Sequence, residues 1–339
     1  MRVGILYDLF EDYPWQTGEP GDADAENEPA ETLEAISGSL GLLGHEAVAL
    51  GTSTDLLKRG APPAVDVVVN ISEGAHSRNR EGFGPTLLEM MGIPFVGPDA
   101  LTLSLSLDKA STKDLAVAAG LETPAYVVYK HVAVLDDAME SLPFPLMVKP
   151  RYEGSAKGIT IHSRVEDEAA LREEVRRITE EYAQDALVES FVEGAEYTVA
   201  LAGHEPVETF PVMQRAVEKR SGIGLHALER RSAMKADWEY ELPGELSAEL
   251  EERLRGDALA IFHKLECRDF ARVDFRVDSG GRAWFLEINP LPTFAPDGTF
   301  AILAEMMAVP YERFLADTLG RAIERVMRTK RETKTLQKS

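Results

Sequence analysis

Arg272, Asp274, Glu287 and Asn289 lie within one short stretch, RVDFRVDSGGRAWFLEINP (residues 272–290), and their types suit phosphate and metal chemistry. ARVDFRV and RAWFLEI are rich in β-branched and aromatic residues, and DSGG between them supplies turn residues, so the stretch reads as a β-hairpin. Pairing Val277 with Arg282 sets Arg272 opposite Glu287 and Asp274 opposite Phe285. Side chains alternate along strands, so the four polar groups share one face. Two carboxylates and an amide oxygen are hard ligands, suited to Mg²⁺ held partly by substrate phosphates. Arg272 beside them could hold an anion. A solvated strand face with a cross-strand Arg–Glu pair fits the same residues.

Three further segments carry candidate chemistry. KPRYEGSAKGITI (149–161) reads as strand, loop, strand. Lys149 can reach a phosphate, Gly154 and Gly158 allow close backbone approach, and Ser155 adds a donor at the loop tip. It is neither a Walker A loop nor a Rossmann fingerprint, and an ordinary hairpin remains the alternative. LVESFVEGAEYTV (187–199) places Glu189 and Glu196 on either side of a tight connection, where acids can accept from ribose hydroxyls or an adenine amino group; a solvated hairpin is the alternative. SLDKASTK (106–113) puts Lys109 on a helix.

These residues need a scaffold, and composition bounds it. A chain of 339 residues corresponds to two or three domains. The net charge of −22 argues against nucleic acid and anionic membranes as partners. Any phosphate site must therefore be built from a few local cations and backbone N–H groups. Cys267 is the single cysteine, which rules out an internal disulfide and a thiolate zinc site. The seven histidines show no HxxH or HExxH spacing. MRVGILYDLF lacks the features of a signal peptide and no apolar run is long enough to span a bilayer, so a cytoplasmic protein is expected.

Strands are expected at RVGILYD, HEAVALG, VDVVVNIS and IPFVG, with helices at ETLEAISGSLGLLG and TLLEMMG. This alternation predicts a parallel α/β domain over residues 1–98. Residues 99–185 read as a small α+β domain: a helical stretch to Gly120, strands AYVVY, PLMVKP and GITIHS, a helix near 133–141, and a helix over 166–183. Residues 186–339 read as a second α+β domain: strands ALVESFV and YTVALAG about a turn, FPVMQ, the acid-bearing hairpin and two helices, with a fraying basic tail after Arg325.

The order of the signals runs DK, KP…EGSxxG, VExFVxGxEYTV, RxDFR…LEINP. In this it resembles the ATP-grasp superfamily and, within it, the D-alanine–D-alanine ligase family, over nearly the whole chain. The resemblance implies a three-domain ATP-grasp fold, an N-terminal parallel α/β domain and two α+β domains clasping ATP. It implies that a substrate carboxylate attacks the γ-phosphate of ATP, and that the amine of a second substrate then displaces phosphate from the acyl phosphate to form an amide. By the resemblance Lys109 and Lys149 hold the α- and β-phosphates, and the loop 153–158, with Glu153, Gly154, Ser155 and Gly158, lies over the phosphates. Glu189 and the backbone near Val192 contact adenine, and Glu196 the ribose. Asp274, Glu287 and Asn289 bind two Mg²⁺ ions, with Mn²⁺ as a substitute, and Arg272 stabilises the oxyanion. Small-molecule amino-acid substrates are a further implication, and a homodimer is expected from the family alone.

The chain departs from the family pattern mainly on the substrate side. The N-terminal GGxSxE segment is missing. Glu26, with Glu28 as rival, matches the acid that meets the first substrate's ammonium. Asn70-Ile-Ser-Glu-Gly74, with Glu73, stands where the family shows a His-Gly pair. The lid segment 221–238 lacks the family's Lys-Tyr pair, leaving Lys235, or Arg230 and Arg231, for the γ-phosphate. Thr299 replaces the serine that anchors the second substrate's carboxylate, and Thr293 replaces a glycine. The alternatives are a ligase of different amino-acid or peptide specificity in specialised metabolism, and a nucleotide-binding protein without ligase chemistry. The second is disfavoured because neither Arg272 nor a metal acid is lost.

Overall fold

The computed structural model describes residues 1–131, 142–229 and 239–336. Four parallel strands open the chain: β1 (Arg2–Tyr7), β2 (Glu46–Gly51), β3 (Val67–Ile71) and β4 (Phe95–Val96), in the order β2-β1-β3-β4. The run of valines in β3 is buried throughout, as expected of a strand covered on both faces. Helices α1 (Ala30–Leu42), α2 (Ser53–Arg59) and α3 (Phe83–Met90) connect them. The short α2 was not anticipated. Thr52 and Asp55 form a reciprocal capping box at its start, and Gly60 ends it with a left-handed φ of 66°.

The expected helical stretch after Asp99 is two helices, α4 (Ala100–Leu107) and α5 (Lys109–Ala118). Asp108 separates them, with an extended backbone and a side chain that caps α5. A second sheet follows, built from β5 (Tyr126–Tyr129), β6 (Leu146–Pro150), β7 (Arg164–Val165) and β8 (Ala186–Ser190) in the order β5-β8-β6-β7, with α6 (Glu168–Glu181) against it. The strand expected at GITIHS does not form. Thr160 and Ser163 cap a single 3₁₀ turn over Ile161–Ser163 instead, since short hydroxyl side chains compete with strand pairing for the local backbone. The helix expected near 133–141 lies outside the described residues.

The third sheet contains β9 (Ala195–Gly203), β10 (Val207–Thr209), β11 (Met213–Arg215), β14 (Asp269–Val277) and β15 (Ala283–Asn289), in the order β10-β9-β14-β15 with β11 also on β9. The small ribbon of β12 (Val217–Glu218) and β13 (Tyr240–Glu241), together with helices α7 (Leu225–Glu229), α8 (Ala248–Lys264), α9 (Thr299–Met306) and α10 (Tyr311–Leu336), completes it. The tail expected to fray after Arg325 continues α10 to Leu336. Arg325 anchors it to Asp269 at 2.6 Å, and Lys330 reaches the Asp66 carbonyl at 3.4 Å.

β8 and β9 are not a hairpin. β8 pairs with β5 and β6, and β9 with β14, β10 and β11. Phe191–Gly194 crosses from one sheet to the other. Gly194 has a φ of 142°, and a side chain there would collide with the Val277 carbonyl, so only glycine fits this crossing. Glu189 and Glu196 are thus carried by different sheets. A shared core of Val3, Ile5, Val67 and Val69 with Ala200, Ala202, Phe270, Phe314 and Leu319 joins the N-terminal sheet, α10 and the third sheet. α5 contributes Ala116 to the other face of the third sheet.

Candidate active site

A cleft opens where the three sheets meet. Glu26, Glu73, Lys109, Lys149, Glu153, Ser155, Glu189, Val192, Glu196, Arg272, Asp274, Glu287, Asn289 and Thr299 all line it. Gly154 and Gly158 belong to the same loop but do not line the cleft, Gly154 lying against Glu26 and Gly158 against Pro150, and Lys235, Arg230 and Arg231 lie outside the described residues.

The hairpin places its four groups on the cleft, but with a corrected register. Val277 faces Ala283, not Arg282, and a shift at Asp274/Phe275 leaves Leu286 as an extra residue. Asp274 therefore stands opposite Glu287, and Arg272 opposite Asn289. A bulge of this kind re-aims side chains beside functional sites. β15 is also pinned by its neighbour, with the Phe285 N–H donating to Glu122 and Thr123 Oγ1 donating to the Phe285 carbonyl. Arg272 donates to Asp274 at 3.1 Å, and Thr198 Oγ1 donates to the other Asp274 oxygen at 2.6 Å. Glu287 pairs with Lys109 Nζ at 3.0 Å. Burial opposes the charge on Glu287, but Lys109 and Lys149 outweigh it and hold the carboxyl down, to about 2.

Lys149 on β6 and Glu189 on β8 meet at 2.6 Å. Glu189 takes a second cation, Lys113, at 2.6 Å. Burial and the like charge of Lys149 bring the fully buried Lys113 down to about 8, against the pull of Glu189. Lys113 was missed in the sequence, although it stands one turn beyond Lys109 on the same helix face. The loop after β6 presents Ser155 and Ala156 with φ of 49° and 57°. Such consecutive left-handed residues are strained, and strain of this kind gathers at ligand-binding loops. Gly158, at φ 78°, packs so close to Pro150 that a side chain would clash.

Glu196 is met by Arg276 at 2.9 Å, and Arg276 also donates to the carbonyls of Gly222 at 2.6 Å and Val192 at 3.3 Å. Burial works against the charge of Glu196, but Arg276 outweighs it, so the carboxyl stays below its usual range. Strand alternation places Arg276 on the face of Arg272 and Asp274, a signal present in the sequence and not used. Arg215 left no such signal, because β11 is only three residues long. It donates to Thr198 at 3.2 Å and to Thr299 at 2.8 Å, linking Thr299 to the Asp274 network.

On the N-terminal wall, Glu26 is bound on both oxygens. Arg80 donates to it at 2.5 and 2.7 Å, the Gly154 N–H at 2.5 Å, and Lys157 lies 3.5 Å away. Burial opposes this charge too, yet Arg80 and Lys157 hold the Glu26 carboxyl down, to about 2. Arg80 and Lys157 both reach Glu153, at 3.0 and 2.9 Å. Arg80 had no sequence signal. Glu28 accepts from Thr32 at 2.7 Å and Thr293 at 2.8 Å.

A profile of the D-ala D-ala ligase C-terminus matches residues 115–319. The chain is 32% identical to a D-alanine–D-alanine ligase of Xanthomonas axonopodis over 75% of this chain and 78% of that one. It is 31% identical to an uncharacterised protein of Sinorhizobium fredii over 81% and 82%. Among solved structures, a D-alanine–D-alanine ligase of Bacillus anthracis in complex with ATP superposes with a TM-score of 0.72 at 23% identity, covering 98% of this chain and 99% of that one. The VanG D-Ala:D-Ser ligase of Enterococcus faecalis does so with a TM-score of 0.73 at 18% identity, covering 95% and 99%. The fold is that of the ATP-grasp enzymes, and the protein is an ATP-dependent ligase that forms a C–N bond. More narrowly, the chain belongs to the D-alanine–D-alanine ligase family.

Proposed function

We propose that the ligase activates the carboxylate of one amino acid with ATP and joins it to the amine of a second, with D-alanine the first candidate by family membership. The reading rests on the convergence in one cleft of Lys109, Lys149, Glu189, Glu196, Arg272 and the hairpin acids. Each cation there is matched by an acid that a bound nucleotide would relieve. Lys149 leaves Glu189 to hold phosphate, and Glu189 turns to the adenine amino group. Glu196 receives the ribose hydroxyls. The loop from Glu153 to Gly158, with Ser155 at its tip, covers the phosphates and keeps water from the activated acyl group. Arg272 stabilises the oxyanion that develops when the amine attacks.

Asp274, Glu287 and Asn289 fit a divalent cation. Two carboxylates directly opposite one another repel unless a cation lies with them, and Arg272 and Lys109 supply that charge in the resting cleft. Mg²⁺ held there, as two ions or with Mn²⁺ in its place, would offset the charge on the transferring phosphoryl group. Lys235 remains our choice for the γ-phosphate. A division into three units, a cytoplasmic setting and, from the family resemblance, a homodimer are further parts of the proposal; because β8 pairs with β5 and β6, the second boundary falls after Ser190 and not at residue 185. No described helix is long and apolar enough to cross a membrane.

The test is phosphate release from ATP and Mg²⁺ across a panel of D- and L-amino acids and short peptides. Release that depends on the added amino acid, with an amide product seen by mass spectrometry, is the expected result. No release across the panel overturns the reading. A ligase of altered specificity is favoured by one observation, the acid Glu73 in place of the family's His-Gly pair, and product mass distinguishes it.

A further inference from the structure

Among the described residues, the part of the chain before Lys109 contributes four groups to the cleft: Glu26, Asn27, Glu28 and Glu73. Three carboxylates on one wall are more than a single α-ammonium requires. Their partners differ. Glu26 and Glu153 close a network with Arg80 and Lys157, two acids against two cations. Glu28 accepts from the hydroxyls of Thr32 and Thr293. Glu73 is only 9% exposed and has no hydrogen bond or ion pair among the described residues.

The residues on either side of Glu73 are held by their surroundings. It follows β3, at the carboxyl ends of parallel strands where open α/β sheets place their ligands. Asp8, just past the end of β1, accepts from Ser72 Oγ at 2.7 Å and from the Gly74 N–H at 2.9 Å. Gly74 adopts a φ of 68° against the Arg80 carbonyl, a position closed to any side chain. The backbone of the turn that carries Glu73 is thus tied down on either side of it. Burial, with the negative charges of Glu81, Glu26 and Glu28, pushes the Glu73 carboxyl well above its ordinary range, and Arg80 only partly opposes this. A buried acid without an ion-pair partner holds a proton until a cation reaches it, and acids kept in that state in a cleft mark functional sites.

We infer that Glu73 receives a second cationic group of the substrate, so that the amino acid seated against this wall is a diamino or guanidino acid. The inference rests on the ligase reading above. The family resemblance gives the α-ammonium to an acid of the N-terminal loop, Glu26 or Glu28. Glu73, on a different segment, is then left for a cation on the side chain. Beside a neutral side chain Glu73 holds a proton, whereas a cationic side chain displaces that proton and pairs with the carboxylate.

The experiment uses the full chain with ATP and Mg²⁺ and compares matched pairs, lysine with norleucine and ornithine with norvaline, in both enantiomers, by phosphate release. The basic member of a pair should show kcat/KM at least about tenfold higher, and Glu73→Gln should lower that ratio by about tenfold, since removing one partner of a buried charge pair is expensive. The ratio in the unaltered protein decides the matter even if the variant folds poorly. If a neutral amino acid supports release as well as its basic partner, or Glu73→Gln leaves the ratio unchanged, the inference falls while the ligase reading stands. If no amino acid supports release, the ligase reading falls and takes the inference with it.

Discussion

Asp274 stands directly opposite Glu287 across the β14–β15 hairpin, because Leu286 is an extra residue in the second strand. Like charges in that relation repel, and each acid is matched by its own cation, Arg272 for Asp274 and Lys109 for Glu287. The pair is built to hold positive charge between its strands. Asp274→Asn and Glu287→Gln should each lower turnover by about a hundredfold or more, since on the proposed reading each removes charge that holds the cation beside the reacting phosphoryl group. Phosphate release at saturating substrate measures this, and near-normal activity in either variant would remove the hairpin from the reaction.

Lys113 shares Glu189 with Lys149 inside the protein, and Lys219 pairs with Glu239 at the surface. Removing one partner of a buried pair costs up to about 3–5 kcal/mol, whereas an exposed pair contributes about 0–1 kcal/mol. Lys113→Met should therefore destabilise the protein by about 2 kcal/mol, below the full cost because Lys149 remains to Glu189. Lys219→Ala should be near neutral. Urea unfolding of the two variants side by side checks the contrast.

Stability should respond to pH in opposite directions at two acids beside Arg80. The Glu26 carboxyl is held at about 2, below its ordinary 4.5. Its contribution is present above 4.5 and is lost as pH falls from there toward 2. Burial, only partly opposed by Arg80, pushes the Glu81 carboxyl up to about 8. Between 4.5 and about 8 the folded state holds a proton that the unfolded chain has released, so Glu81 costs stability as pH rises. Glu81→Gln should raise the melting temperature more at pH 8 than at pH 5, by roughly a few degrees. An equal change at both pH values would contradict this.

Arg215 ties Thr299 to Thr198, the hydroxyl that orients Asp274. Thr299 is our candidate for the carboxylate of the amine-donating substrate. Arg215→Ala should raise KM for that substrate by about tenfold, with a smaller change in KM for ATP, because a lost charged hydrogen bond is worth about 1.5–3 kcal/mol. Steady-state kinetics with each substrate varied in turn would show it. An effect confined to ATP would move Arg215 to the nucleotide end.

Much of this was legible in the chain. The valine run of β3, the capped helices and the alternating hairpin strands are set by short-range sterics and by the period of the apolar residues. The GITIHS segment misled because its β-branched residues favour strand, while Thr160 and Ser163 bonded locally to the backbone. The β8–β9 connection misled because EGAE has the composition of a turn. Gly194 serves there for a close crossing beneath Val277, and composition does not distinguish the two uses.

The sequence by itself determined the types of the polar residues, their order and the face of the hairpin they share, because alternation along a strand needs no knowledge of what lies across it. Only the tertiary structure decided which acid faces which. A bulge shifts every pairing beyond it, and pairing belongs to two segments at once. It also decided that Arg80, 54 residues from Glu26 in sequence, would claim that acid, and that Glu73 would be left without an ion pair among the described residues. Charge balance is a property of the space around a group, and the chain brings that space together only when it folds.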